Sequence, residues 1–319
     1  MYAFRVARQS LPAAALVAGS TLLAACLDVG EVQPADGSGG VVASGGGTAG
    51  TGAVSTGGTG GTAGTGAVST GGAGGAGGAG GVPAFPVLGV VFDGVTDWLD
   101  RKAPLGTADS KQVTGSIWFK RVGLGSTYCI GPEAAGSGSP NALEWTASDR
   151  FRVVWRRAGG GVAVDLYSAA VTDTASWHHV MFSADLSDQG KRHLYLDGVP
   201  SITVNFYSDT LMDNTGNQWG LFADNGGDAK YNGEVAEMWL ALGSYLDLSQ
   251  PALREQFRSA AGQPVNLGPD GSLPTGTAPT IYLSLRAGQP ANAFAANRGN
   301  GGGFLLQGEL QASQTSPSD

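Results

Sequence analysis

The sequence has little of what most catalytic or metal centres are built from. It contains two cysteines, Cys26 and Cys129, and three histidines, His178, His179 and His193. The two cysteines fit no zinc-ligand spacing. His178 and His179 are adjacent, and on a strand adjacent side chains point to opposite faces, so the pair cannot share a metal ion. No Ser or Cys motif marks a nucleophile beside His193. Charge is scarce too: charged residues make up 14% of the chain, and 18 Lys and Arg stand against 26 Asp and Glu, for a net charge of −8. There is no run of Lys or Arg. An acidic chain without a basic patch excludes nucleic acid as a partner and excludes electrostatic adhesion to anionic lipid. Aromatic residues are missing from positions 37–81, so that stretch cannot build a core.

Glycine is what the chain has in excess. Of 54 glycines, 22 lie among the 45 positions 37–81. The block 47–58 recurs unchanged at 61–72, and a Gly-Gly-Ala pattern closes the stretch. Matches to Gly-x-Gly-x-x-Gly occur there, but no strand precedes them and no helix follows, so they carry no nucleotide-binding reading. Residues 26–81 are expected to be a disordered tether. Its r.m.s. reach is about 40 Å, from roughly 5–6 Å times the square root of its length.

The N-terminus begins with Arg5 and Arg8 and continues into an apolar run, 11–25, too short to span a bilayer comfortably. It ends in Leu23-Ala24-Ala25-Cys26. This arrangement resembles a bacterial lipoprotein signal peptide with its lipobox. The resemblance implies that residues 1–25 are removed and that Cys26 is acylated as the new N-terminus, anchoring the protein in the cell envelope. Leu27 in place of Asp after the cysteine implies the outer rather than the inner membrane. Cys129 is then a lone thiol, read as a small buried strand residue.

Residues 82–311 alternate apolar and polar positions in short runs separated by turn residues, the pattern of an all-β sandwich. Phe151, Val153 and Trp155 alternate with Arg152, Val154 and Arg156. The central hairpin is Trp177-His178-His179-Val180-Met181-Phe182 answered by His193-Leu194-Tyr195-Leu196-Asp197-Gly198, where Asp-Gly is a strong two-residue turn signal. One helix is predicted after a Ser249 cap, over 250–257, ending by Gly262. Residues 312–319 are expected to be a disordered tail. The "WHHV … LYLDG" pair, "FDGVTDWL" at 92–99 and "GTAPTIYLSL … NRGNGGGF" near the end together resemble concanavalin A-like/laminin G-like jelly-roll β-sandwiches, including forms found in phage virion and bacterial surface proteins. The resemblance implies that of His178 and His179 one packs inward and the other is solvated.

Endo-glucanases of that sandwich class place acids at i, i+2 and i+4 of one strand. Here Glu234 and Glu237 are three apart, which on a regular strand sets them on opposite faces, and 236 and 238 are Ala and Met. The glycosidase pattern therefore fails, and no catalytic residue is assigned. The loop between the strands at 219–222 and 234–242 carries Asp224, Asn225, Asp228 and Tyr231. These four are the candidate ligand-binding residues: the oxygens of Asp224 and Asp228 for a Ca²⁺ of the kind the resemblance implies at a sandwich rim, Tyr231 as a stacking platform for sugar. Tyr128, Trp145, Tyr207 and Trp219 are further loop-proximal aromatics. The expectation is a monomeric, lipid-anchored surface protein whose partner is a glycan, with a non-catalytic protein-interaction role as the alternative.

Overall fold

In the alternating segments, residues with apolar side chains go to one side and polar ones to the other, and two sheets result. The structure, a computed structural model, describes residues 86–132 and 141–319. The signal-peptide reading of 1–25, the acylation of Cys26 and the tether at 26–81 lie outside the described residues. One sheet has the order β10 (Val199–Pro200), β9 (Arg192–Leu196), β8 (His178–Asp185), β3 (Gln112–Arg121), β13 (Asn232–Leu242), β1 (Val90–Asp93), β16 (Gln311–Ala312), with β14 (Ile281–Ser284) also paired to β13. The other has the order β11 (Thr203–Tyr207), β7 (Val162–Ala170), β6 (Arg150–Arg156), β5 (Ala142–Trp145), β4 (Thr127–Pro132), β12 (Trp219–Leu221), β2 (Trp98–Arg101), β15 (Leu305–Gln307). The pairings are antiparallel. This is the expected all-β sandwich, with one short helix.

The inner faces of the two sheets meet in a core rich in aromatics. Phe92 lies 4.2 Å from Phe222, Phe119 lies 4.5 Å from Trp145, and Trp145 meets Phe151 edge-on at 5.1 Å. Trp145 and Trp219, read from sequence as loop-proximal, are fully buried here. Cys129 is buried with them, and burial pushes its thiol up to about 12, so it is an inert packing residue. Gly115 of β3 leaves room for this packing: a Cβ there would sit 2.3 Å from a Phe182 ring carbon. One cation enters the core. Arg121, fully buried, lies 4.8 Å over the Trp145 ring, pairs with Asp149 at 2.8 Å, and donates to the carbonyls of Val171 and Gly125.

The Asp-Gly turn forms as its residue types dictate, with both Asp197 (φ 52°) and Gly198 (φ 80°) left-handed. Asp197 also ties the turn to the histidine pair: one carboxylate oxygen accepts the His179 N–H at 2.8 Å and the other lies 2.7 Å from His178 Nδ1. The histidine assignment needs correcting. His178 faces the core side, half-buried beside Phe119, whereas the fully buried ring is His179 on the outer face, stacked 4.3 Å from Trp118 and 2.8 Å from Ser116 Oγ. The outer face of this sheet is not open to water. Trp239, Met181 and Tyr282 on it are packed beneath Leu248, Phe257 and Leu267 of the segment that follows β13.

Three more expectations are revised. The helix is one turn, α1 (Pro251–Arg254), with Gln250 at its N-cap and no side-chain cap; Ser249 Oγ instead donates to Asp247. Residues 312–319 are not a free tail. Ala312 pairs with Val90, the Ser313 N–H donates to Gly89 O, Ser316 Oγ donates to Val87 O, and Ser318 Oγ accepts the Val87 N–H. A segment poor in apolar residues is held by the backbone groups that β1 would otherwise leave unpaired. Finally, Glu234 and Glu237 share the outer face. The register of β13 against β3 shifts between Val235 and Glu237, so that Lys120 opposes Glu234 and Trp118 opposes Glu237. A bulge at Ala236 inserts the extra residue that converts a three-residue spacing into a same-face one.

Candidate functional site

The outer face of the second sheet presents a row of side chains aligned strand to strand. By direct register Tyr128 of β4 opposes Glu144 of β5, Glu144 opposes Arg152 of β6, Arg152 opposes Tyr167 of β7, and Tyr167 opposes Thr203 of β11. The same alternation that buries Leu143, Phe151, Val153 and Leu166 sets these residues outward. Three inter-strand steps of about 4.8 Å place the two tyrosine positions roughly 14 Å apart. A register shift in β11 between Val204 and Phe206 turns Phe206, 44% exposed, to the outer face opposite Asp165. Tyr207 is thereby turned inward against the core, its hydroxyl donating to Leu186 O.

Arg152 is the hub of the row. Its guanidinium donates to Glu144 at 2.8 Å and, through Nε and Nη2, to both oxygens of Asp165 at 2.7 and 2.9 Å. It lies 5.3 Å over the Tyr167 ring, and Arg150 lies 5.1 Å over the same ring. Asn205 Nδ2 donates to Asp165 at 2.9 Å. The bonds to Asp165 and Glu144 hold Arg152 firmly charged. Burial, with Glu144 and Asp224 nearby, raises the Tyr128 hydroxyl above its ordinary range, and burial with Asp165 nearby does the same for Tyr167. Both tyrosines are therefore neutral phenols at physiological pH. The row thus holds two half-buried aromatic rings separated by a fixed lattice of donors and acceptors, a surface suited to stacking and hydrogen bonding and offering no activated nucleophile.

The loop read from sequence borders this face without forming the expected site. It folds back over β4 and β12: Gly131 and Gly220 lie so close beneath it that a Cβ on either would strike the Asp224 backbone, at 2.8 and 2.1 Å. Asp224 Oδ1 accepts the N–H groups of Gly226 and Asp228, an Asx-type turn. Asn225 is half-buried and Asp228 is exposed. Tyr231 is 1% exposed, with its hydroxyl donating to Lys120 O, so it cannot be a stacking platform. A core-facing step between Phe222 and β13 buries it. As for Ca²⁺, the described residues bring no three His, Cys, Asp or Glu side chains together as a metal cluster, and one Asp224 oxygen is already committed to the turn.

Sequence reasoning missed Glu144, Arg152, Asp165, Tyr167 and Phe206 as a group. The alternation in β6 marked Arg152 as outward, but which residues stand beside it depends on register, and β5 carried no strand signal of its own.

The acids on the first sheet are set differently. Glu234 pairs with Lys120 at 3.1 Å and accepts from Ser313 Oγ. Glu237 is buried, accepts the Tyr282 hydroxyl at 2.7 Å, and is pushed up to about 7 by burial. Arg286 Nη2 in turn donates to the Tyr282 oxygen at 2.6 Å. Glu234 lies under the C-terminal segment and Glu237 beneath Tyr282, so the two do not line an open cleft.

Residues 93–241 match the family model described as the concanavalin A-like lectin/glucanases superfamily. None of the curated proteins compared with the chain matches it in sequence. Among solved structures, a putative carbohydrate-binding protein from Bacteroides ovatus aligns at 14% identity and a TM-score of 0.47, over 72% of this chain and 59% of that one. The heptameric SAP-like pentraxin of Limulus polyphemus aligns at 12% identity and 0.39, over 51% and 79%. Domains LG4-5 of the mouse laminin α1 chain align at 15% and 0.37, over 52% and 45%.

Proposed function

We propose that the outer face of the second sheet binds glycan, with Tyr128 and Tyr167 as stacking platforms and with Glu144 and Arg152, braced from beneath by the buried Asp165, bonding to sugar hydroxyls. The observation that carries this reading is the in-register row itself: two tyrosine rings held apart by charged groups already fixed to one another. Pre-ordered side chains lose little entropy on binding, and aromatic faces suit the apolar faces of sugar rings. The match of residues 93–241 to a superfamily described by its lectins and glucanases supports the same class of ligand. The test is a glycan array probed with the full chain, in EDTA and in Ca²⁺, followed by titration of the strongest hit. Tyr128→Ala and Tyr167→Ala should each weaken that glycan by about tenfold, equivalent to ~1.4 kcal/mol. An array blank in both conditions, or a hit that both variants bind as tightly as wild type, overturns the proposal. A second reading is protein interaction, favoured by one observation: β11 is an edge strand with Val204 and Phe206 exposed at 42% and 44%, the kind of edge that accepts an added strand.

The lipobox-like Leu23-Ala24-Ala25-Cys26 supports acylation of Cys26, with the glycine-rich stretch as a tether in the cell envelope, on the outer membrane. Cys26→Ser should shift the protein from the membrane to the soluble fraction; unchanged fractionation removes the anchor from the proposal.

A further inference from the structure

At the end of β14, on the first sheet, a cavity of about 420 Å³ opens between Pro86, Asn266, Pro269, Ala287, Arg286 and Arg298. Its size is that of a small-ligand pocket. Its charge is of one sign: the residues that line it include two guanidiniums and no carboxylate. The fixed partners of both arginines are neutral. Arg286 Nη2 donates to the Tyr282 hydroxyl oxygen at 2.6 Å and to Gly268 O at 3.1 Å, and Arg298 Nη2 donates to Gln289 Oε1 at 2.9 Å. Arg286 Nη1 and Arg298 Nε are buried with no hydrogen-bond partner among the described residues. Neither arginine has an ion-pair partner there, whereas the wholly buried Arg121 is paired with Asp149. The nearest acid along the chain of bonds, Glu237, is held off from Arg286 by the intervening Tyr282 phenol.

Two guanidiniums that line one cavity with no carboxylate beside them make it a place for an arriving anion. A carboxylate meets the planar fork of a guanidinium with two parallel bonds, which a neutral hydroxyl cannot do. Two prolines and an alanine give the rest of the cavity an apolar wall, against which a ring can rest. We infer that this cavity binds the carboxylate of a ring-sized acidic ligand, of the kind carried by a uronate sugar or by a small cyclic organic acid. The site is separate from the tyrosine row. A blank glycan array leaves it standing, and its own failure leaves the array result standing.

The experiment is calorimetric titration of the full-length chain with sodium glucuronate, sodium cyclohexanecarboxylate and glucose. Glucuronate is expected to bind at least tenfold more tightly than glucose. Arg286→Met and Arg298→Met should each weaken it at least tenfold, while Lys102→Met, which removes an exposed cation elsewhere, should leave it unchanged. Because Arg286 also supports Tyr282, the Arg298 variant, whose side-chain bond is to Gln289, is the decisive one. Cyclohexanecarboxylate binding as well as glucuronate assigns the site to small organic acids, and glucuronate binding alone assigns it to acidic sugars; both outcomes support the inference. Glucose binding as well as glucuronate, no heat with either carboxylate, or unchanged affinity in the Arg298 variant overturns it.

Discussion

Replacing Glu237 by Gln should stabilise the protein by about 3 kcal/mol at pH 8 and by almost nothing at pH 4. Burial raises this carboxyl from the ordinary 4.5 to about 7, so the folded state holds its proton more tightly than the unfolded chain does. An acid with a raised folded value contributes fully below the unfolded value, and that contribution is lost as pH rises through 4.5 towards 7. Every pH unit between those two values is worth ~1.4 kcal/mol, which over the interval gives the figure above. Gln keeps the oxygen that accepts from Tyr282 and lacks the charge, so the difference between variant and wild type isolates the one group. Urea unfolding of both proteins at pH 4, 6 and 8 measures it. A difference independent of pH would show that Glu237 ionises normally. The wild type alone will not reveal the effect, because His179 opposes it. Burial lowers that imidazole to about 3, so its contribution is present above 6.5 and lost as pH falls towards 3. Between 4.5 and 6.5 the two slopes have opposite sign, and Glu237→Gln should expose the rising one.

Asp149→Asn should cost about 3 kcal/mol, the scale of removing one partner from a buried ion pair. Asp149 accepts from Arg121 and from the Gly125 N–H, each at 2.8 Å, and Arg121 is wholly inside. Asn preserves one acceptor oxygen and tolerates the left-handed backbone at this position (φ 58°). The loss therefore reports the stranded guanidinium charge. Arg121→Met in the same background should restore part of the stability, since the uncompensated cation is then gone. Additive losses in the double variant would mean that the two residues act independently.

These effects could not be read along the chain, although much of the fold could. Strands with their own period-two signal were legible: Phe151, Val153 and Trp155 against Arg152, or Leu194 and Leu196 before Asp197-Gly198. Strands whose pattern is borrowed from neighbours were not. β5 is four residues long, and β16 is an exposed Gln-Ala pair stabilised by the backbone edge of β1 rather than by its own side chains. The helix read over eight residues lasts one turn because packing of Phe257 beneath the first sheet, and not propensity, sets its path. The stacking role read for Tyr231 was lost for the same physical reason. Tyr231 looked like a loop residue, yet its ring belongs to the core. Tyr128 and Tyr167 are 39 positions apart in the chain and become neighbours in function only through the registers of three strand pairs. Glu234 and Glu237 were misplaced by a single bulge, which reverses every face assignment after it.

The clamp of Ser316 and Ser318 on Val87 has a mechanical consequence. A pull on the chain ahead of Pro86 does not reach β1 directly. It meets first the two hydrogen bonds at Val87, then the bond from the Leu88 N–H to Leu285 O, then the Gly89–Ser313 bond, and only then a strand held on both sides by β13 and β16. Tension is thus taken up stepwise at the point of entry. The tyrosine row lies in the opposite sheet, away from these bonds.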